Sequence, residues 1–150
     1  MSAETNLQLI QRWFQEVWNE GKTETVFDLL APDAVTRGQG GSQAEIHGPE
    51  EFVQFVEGIR GAFPDLKVTI EDALAVDDKV AVRWSATMTH LGDNLGIPAT
   101  GKSVQSTGIS IARIVNGQFA EGWDNWDQLG MLRQIGAYKD PEVAPLGKTA

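Results

Sequence analysis

Asp124 stands in the run Trp123, Asp124, Asn125, Trp126, Asp127, a carboxylate set between indole rings. A carboxylate held against large apolar rings loses solvation, so its pKa rises and it can take up and return a proton near neutral pH. That is the minimum equipment for proton-transfer chemistry without a cofactor. The same spacing equally fits a solvated side chain at a strand end. Other chemistries have less to work with. There is no cysteine, hence no thiol nucleophile and no thiolate metal site. The two histidines, His47 and His90, lie in separate segments, so no metal site is expected. No GxSxG turn supports a nucleophilic serine. Gly96, Gly101, Lys102 and Ser103 satisfy the phosphate-loop pattern GxxxxGKS, but Val104 to Ile109 then continue as a strand where that loop requires a helix. Nucleotide binding is therefore not expected.

The elements that must position Asp124 come in two halves. Leu7, Ile10, Phe14, Val17 and Trp18 recur at helical spacing, with Thr5 and Gln8 as a capping box and Gly21 as a stop. Val26 to Leu30 form a short second helix ended by Pro32, and Phe52, Phe55, Val56 and Ile59 mark a third beginning at Pro49. From Leu66 the period changes to two. Val68 and Ile70 alternate with polar residues, Asp77 and Asp78 make a turn, and Val80, Val82, Trp84, Ala86, Met88 and His90 share one strand face. Val104 to Val115 is a long strand, Asn116-Gly117 signals a two-residue hairpin, and Gln118 to Asp127 returns antiparallel. Leu129 to Ile135 make a terminal helix, for which Asp127 is the natural N-cap.

Three helices followed by a strongly bent antiparallel sheet predict an α+β domain over residues 1–136, with a tail over 137–150. The space between helices and sheet is a natural cavity. Alternation puts Asp124 with Ala120, Gly122 and Trp126, against Phe119, Trp123 and Asp127 on the other face. Ser106, Gly108, Ser110 and Ala112 form a face of small residues, leaving room for a ligand or for close packing.

The chain has 150 residues and a formal net charge of -9, which disfavours nucleic acid and anionic lipid as partners. The N-terminus lacks the basic and apolar stretches of a signal peptide, and no run nears the roughly 18 apolar residues of a membrane span. A cytoplasmic protein without membrane contact is expected.

The runs FQEVWNEGK, HGPEEF, AFPDL, GIPATGK and IVNGQFAEGWDNWDQLGMLRQIG carry a resemblance to the SnoaL-like polyketide cyclases, or ester cyclases, of the nuclear-transport-factor-two-like superfamily. It extends from about residue 7 to Gly136. The resemblance implies a cone-shaped α+β barrel, a metal-free and cofactor-free intramolecular aldol closure, and a homodimer or higher oligomer paired through the outer sheet face. It places the general acid and base on Asp124, and a family histidine on His90. Two positions depart from the family pattern: Ser110 stands where such cyclases carry a pocket histidine, and Thr36 where they carry an asparagine.

These readings together predict a cyclase, or a related lyase or isomerase, acting on a hydrophobic carbonyl compound. Trp126, Trp84, Phe14 and Met88 would contact the substrate, and His90, Ser110 and Thr36 would hydrogen-bond its oxygens. A non-catalytic pocket for a small hydrophobic ligand is the chief alternative. A hydrolase or dehydratase using Asp124 with Arg83 is a third, weakened because Arg83 falls on the face opposite Trp84 by alternation.

Overall fold

The computed structural model describes residues 2–141 and 147, apart from the side chains of 41–43; most of the expected tail lies outside the described residues. Helix α1 (Ala3–Trp13) starts earlier than its sequence pattern suggests, because the Ser2 hydroxyl accepts the Thr5 N–H at 3.1 Å. It continues as a wider π-helical segment, Phe14–Asn19, whose inner side buries Phe14, Val17 and Trp18. Gly21, at φ +70°, ends it. Asn19 then grips the strand that follows the third helix: its side chain donates to the Val68 carbonyl at 2.9 Å and accepts the Val68 N–H at 2.6 Å.

Between the second and third helices the expectation of an uninterrupted helical half is incorrect. After α2 (Thr23–Leu29) the chain forms a hairpin, β1 (Leu30–Gly38) and β2 (Gly41–His47), before α3 (Gly48–Ala62). Pro32 lies in β1, not at a helix end. It is tolerated there because ladder pairing to β2 begins only at Val35, and the register with the other neighbour shifts between Leu30 and Val35. Pro49 opens α3 as expected, and Glu51 accepts the His47 N–H at 2.8 Å.

The remaining strands are β3 (Lys67–Val76), β4 (Lys79–Thr89), β5 (Ser103–Val115) and β6 (Gln118–Trp126), followed by α4 (Gln128–Gln134). All six strands form one sheet in the order β2-β1-β6-β5-β4-β3. It is open, with β2 and β3 at its edges. Every neighbouring pair is antiparallel except β1 with β6, which is parallel. The Asn116-Gly117 turn has positive φ at both residues, 50° and 76°, as a tight hairpin requires. No helix of the described residues is long and apolar enough to cross a membrane.

The register shifts within the β3–β4 and β5–β6 ladders, and at Arg37/Gly38, bend the sheet so that one face becomes concave. Helices α1 and α3 pack over that concave side. The sheet contributes Val80, Val82, Ala86, Met88, Val104, Ile114 and Phe119 to the core, and the helices contribute Ile10, Trp13, Val17, Phe52 and Val56. The α+β expectation holds, with cone-like curvature in an open sheet.

Candidate active site

A cavity of about 100 Å³ lies between the concave sheet face and the helices. Its helical wall is aromatic: Trp13, Phe14, Trp18, Phe52, Phe55 and Phe63. Trp13 stacks obliquely on Phe52 at 5.1 Å and edge-on to Phe119 at 5.3 Å, fixing that wall. Polar groups gather on the opposite wall, on β1, β5, β6 and the β1–β2 turn: Thr36, Gln39, Ser110 and Asp124.

Three rungs of the sheet explain this gathering. Trp84, Gly108 and Trp126 are cross-strand partners on β4, β5 and β6. A Cβ at Gly108 would fall inside the Trp84 indole and 2.9 Å from Trp126 Cβ, so the glycine is what lets the two tryptophans flank it. On the next rung Ser110 sits between Val82 and Asp124, and on the next Ala112 is followed by Gly122 and Thr36. A Cβ at Gly122 would lie 3.2 Å from the Thr36 methyl. The small residues of β5 thus make space for larger side chains of its neighbours as well as for the cavity.

Asp124 is only half-buried in total, but its carboxyl is enclosed by the cavity wall. Loss of solvation pushes its pKa up from 3.8 to about 6, against the opposing pull of hydrogen bonds from Ser110 and, more weakly, the Gln39 side chain. The Ser110 hydroxyl donates to Asp124 Oδ1, and itself accepts from Trp84 Nε1 at 3.0 Å. Trp126 Nε1 donates to the Gln39 carbonyl at 2.7 Å, holding the β1–β2 turn over the carboxylate. Gly38 makes that approach feasible: its φ is +91°, and a Cβ there would collide with the Asp124 carbonyl.

The other carboxylates of this strand are committed elsewhere. Glu121 is held below its usual range by Arg113 and Arg37, at 2.8 and 3.0 Å. Asp127 caps α4, accepting the Gly130 N–H at 2.8 Å. Among the described residues, no group of three or more His, Asp or Glu side chains is placed to hold a metal ion.

Of the residues singled out from sequence, Asp124, Trp126, Trp84, Ser110, Thr36, Phe14 and Met88 all line this cavity. His90 does not line it. It is fully buried, and its Nδ1 accepts the Thr100 N–H at 3.2 Å and lies 3.1 Å from the Thr100 hydroxyl. Its backbone pairs with Lys102 and Gly101, so it pins the ends of the β4–β5 loop, residues 90–102. The GxxxxGKS pattern covers the second half of that loop and runs into β5 without a following helix. Arg83 is also outside the cavity, forming an exposed ion pair with Asp72 at 2.6 Å. Ser110 has its hydroxyl proton engaged by Asp124. Thr36 Oγ1 is buried without a hydrogen-bond partner, a donor and acceptor left open in an apolar enclosure.

Gln39, Gly38 and Phe119 were not foreseen as parts of the site, whereas Gly122 lies on the Asp124 face as alternation places it. Phe119 falls on the wrong face by simple alternation. Ala120 has no partner in the β5–β6 ladder, where Glu121 pairs with Arg113 and Phe119 with Ile114, and that extra residue turns Phe119 inward. The run Gly38-Gln39-Gly40-Gly41 was the available signal for the turn that carries Gln39.

Residues 8–135 match the family model described as SnoaL-like polyketide cyclase. The chain is 30% identical over 145 residues to the aklanonic acid methyl ester cyclase DnrD of Streptomyces peucetius, covering 95% of this chain and 97% of that protein. It is 27% identical over 122 residues to the nogalonic acid methyl ester cyclase of Streptomyces nogalater, covering 79% and 89% of the two chains. The structure of TsrD from Streptomyces laurentii superposes with a TM-score of 0.80 at 28% identity, covering 92% of this chain and 99% of that one. A protein of ketosteroid isomerase-like fold from Catenulispora acidiphila superposes at 0.72 with 16% identity, covering 86% and 92%, a likeness of fold alone.

Proposed function

The chain belongs to the SnoaL-like polyketide cyclase family, and from that premise we propose that it closes a ring in a hydrophobic polycarbonyl compound by an intramolecular aldol reaction, with Asp124 as the general acid and base. The observation that carries this reading is a carboxylate enclosed in an apolar cavity, its pKa about 6, with no ion pair among the described residues.

At neutral pH Asp124 is mostly ionised and can accept a proton from a carbon flanked by two carbonyls. The C–H electron pair becomes an enolate, which attacks a second carbonyl of the same molecule, forming the new C–C bond and an alkoxide. Protonated Asp124 returns its proton to that alkoxide, which restores the carboxylate. Each proton transfer is worth about 10²–10⁴-fold, and holding both carbonyls in one cavity supplies the rest through orientation. Trp84, Trp126, Phe14 and Met88 contact the carbon skeleton, and the unpartnered Thr36 hydroxyl takes a substrate oxygen. His90 contributes indirectly, by fixing the ends of the β4–β5 loop. The same reading includes a homodimer paired through the outer face of the sheet.

Aklanonic acid methyl ester and nogalonic acid methyl ester, named for the cyclase relatives, are the first probes. Wild-type protein is expected to cyclise one of them or a close polycarbonyl relative, and Asp124→Asn to abolish turnover while leaving ligand affinity within about twofold and the fold intact. Retained turnover in Asp124→Asn defeats the mechanism. Recovery of every probe unchanged after binding to the wild type, by mass spectrometry, favours a binding protein.

A further inference from the structure

We propose that Trp84 and Ser110 form a fixed donor relay that gives the two oxygens of Asp124 different tasks: Oδ1 is anchored, and Oδ2 takes up and returns the proton. The chemistry rests on the cyclase reading above, but the relay is a property of the free protein. An indole N–H can only donate, and an ionised carboxylate can only accept. Ser110 lies between the two. Its Oγ accepts from Trp84 Nε1 at 3.0 Å, and its own proton goes to Asp124 Oδ1. Tryptophan at one end therefore sets the direction of the whole chain.

A substrate proton arriving on Oδ1 would oppose the Ser110 proton and force the hydroxyl to turn away. Arriving on Oδ2, it leaves the Trp84–Ser110 and Ser110–Asp124 bonds in place, with the Gln39 side chain the weaker remaining pull on the carboxylate. Oδ2 is on the side of Gly122, 4.0 Å from where a Cβ of that residue would stand, and the side chain facing the same glycine is Thr36. In the forward step the C–H bond breaks and the proton bonds to Oδ2; in the last, the Oδ2–H bond breaks and the proton goes to the alkoxide. Ser110 and Trp84 exchange no proton and are positioning residues. Trp84 reaches Ser110 diagonally, because its direct partner on β5 is Gly108, over which the indole lies.

The charged groups around this relay are otherwise engaged. Glu121 on β6 is paired with Arg37 of β1 and Arg113 of β5, Arg83 of β4 with Asp72 of β3, and Asp127 caps α4. A titration at the cavity therefore reports Asp124.

The test is a carboxyl-carbon NMR titration of Asp124 in substrate-free protein, comparing wild type, Ser110→Ala, Ser110→Thr and Trp84→Phe. Removing the donor in Ser110→Ala is expected to raise the midpoint by about one pH unit, a tenfold change in proton affinity. Ser110→Thr keeps a hydroxyl and is expected to restore the wild-type midpoint. Trp84→Phe should move it in the same direction as Ser110→Ala, by less. An unchanged midpoint in Ser110→Ala, or a threonine variant that behaves like the alanine one, overturns the relay. Turnover separates this from the cyclase reading. Inactive Asp124→Asn with an unmoved Ser110→Ala midpoint defeats the relay alone, whereas a moved midpoint in a wild type that cyclises no probe defeats the cyclase reading alone.

Discussion

Three carboxylates within seven residues of one strand and its exit meet three different fates, and the difference is what makes one of them reactive. Glu121 meets two guanidinium groups and Asp127 meets a helix N-terminus; Asp124 meets an apolar enclosure and a hydroxyl. Its place among indoles was visible in the sequence, and so was the capping role of Asp127. The relay was not, because the partners of Asp124 and Trp84 lie across strands, and only register brings Ser110 between them. The raised pKa has a measurable sign. Folding lifts it from 3.8 to about 6, so between these values the native state holds more protons than the unfolded chain, and stability falls as pH rises through that window. Above about pH 6 the buried charge costs on the order of 1–3 kcal/mol, at about 1.4 kcal/mol per pH unit and allowing for partial exposure. Asp124→Asn, which keeps an oxygen to accept from Ser110, should therefore melt higher than the wild type at pH 8, by a margin that shrinks toward pH 4. Calorimetry at the two pH values checks this, and an equal margin at both would mean a solvated carboxylate. If Asp124 is the base, kcat/KM should climb through an ascending limb centred near pH 6, and Asp124→Glu should retain the limb's shape at reduced rate.

At the scale of elements, long periodic segments were legible: the first helix, α3, the β3–β4 and β5–β6 hairpins, and α4. The β1–β2 hairpin was not, because Pro32 reads as a stop, and the residues of β1 that pair with β2 begin only at Val35. That omission hid Gln39, and the unpaired Ala120 hid the inward turn of Phe119. Gly108, by contrast, stands in the face of small residues read as leaving room for a ligand or for close packing, and the indoles of two neighbouring strands are what pack against it. Gly108→Ala should cost about 1–3 kcal/mol by forcing Trp84 and Trp126 aside, lowering Tm by several degrees and changing tryptophan emission. Gly58, in α3 with open space where a Cβ would go, supplies the contrast: Gly58→Ala should stabilise by about 0.5–1 kcal/mol. If both substitutions behave alike, the close packing across Gly108 is not what holds the tryptophans.

For the whole molecule, the sheet has one face turned to the cavity and the other to the outside, and the outside carries exposed apolar side chains. Ile109 is 55% exposed and Ile111 39%, side by side with Trp123, the cross-strand partner of Ile111, which Arg37 covers at 5.7 Å. Around them run Arg83, Asp72, Arg113 and Glu121, charges of both signs in mutual pairs. An apolar centre rimmed by balanced charge is what a self-complementary interface requires, since each copy can present to the other both signs it needs. The cavity lies on the helix-covered side of the sheet, although Ile111 also reaches its lining. The protein should sediment at twice its 16.3 kDa mass at micromolar concentration, and Ile109→Asp with Ile111→Asp should return it to monomer. Because Asp124 shares β6 with Trp123 but faces the cavity, the monomeric variant should retain the Asp124 midpoint to within a few tenths of a pH unit. A wild type that sediments as a 16.3 kDa species would leave this apolar face without a second copy to cover it, and the dimer would be refuted.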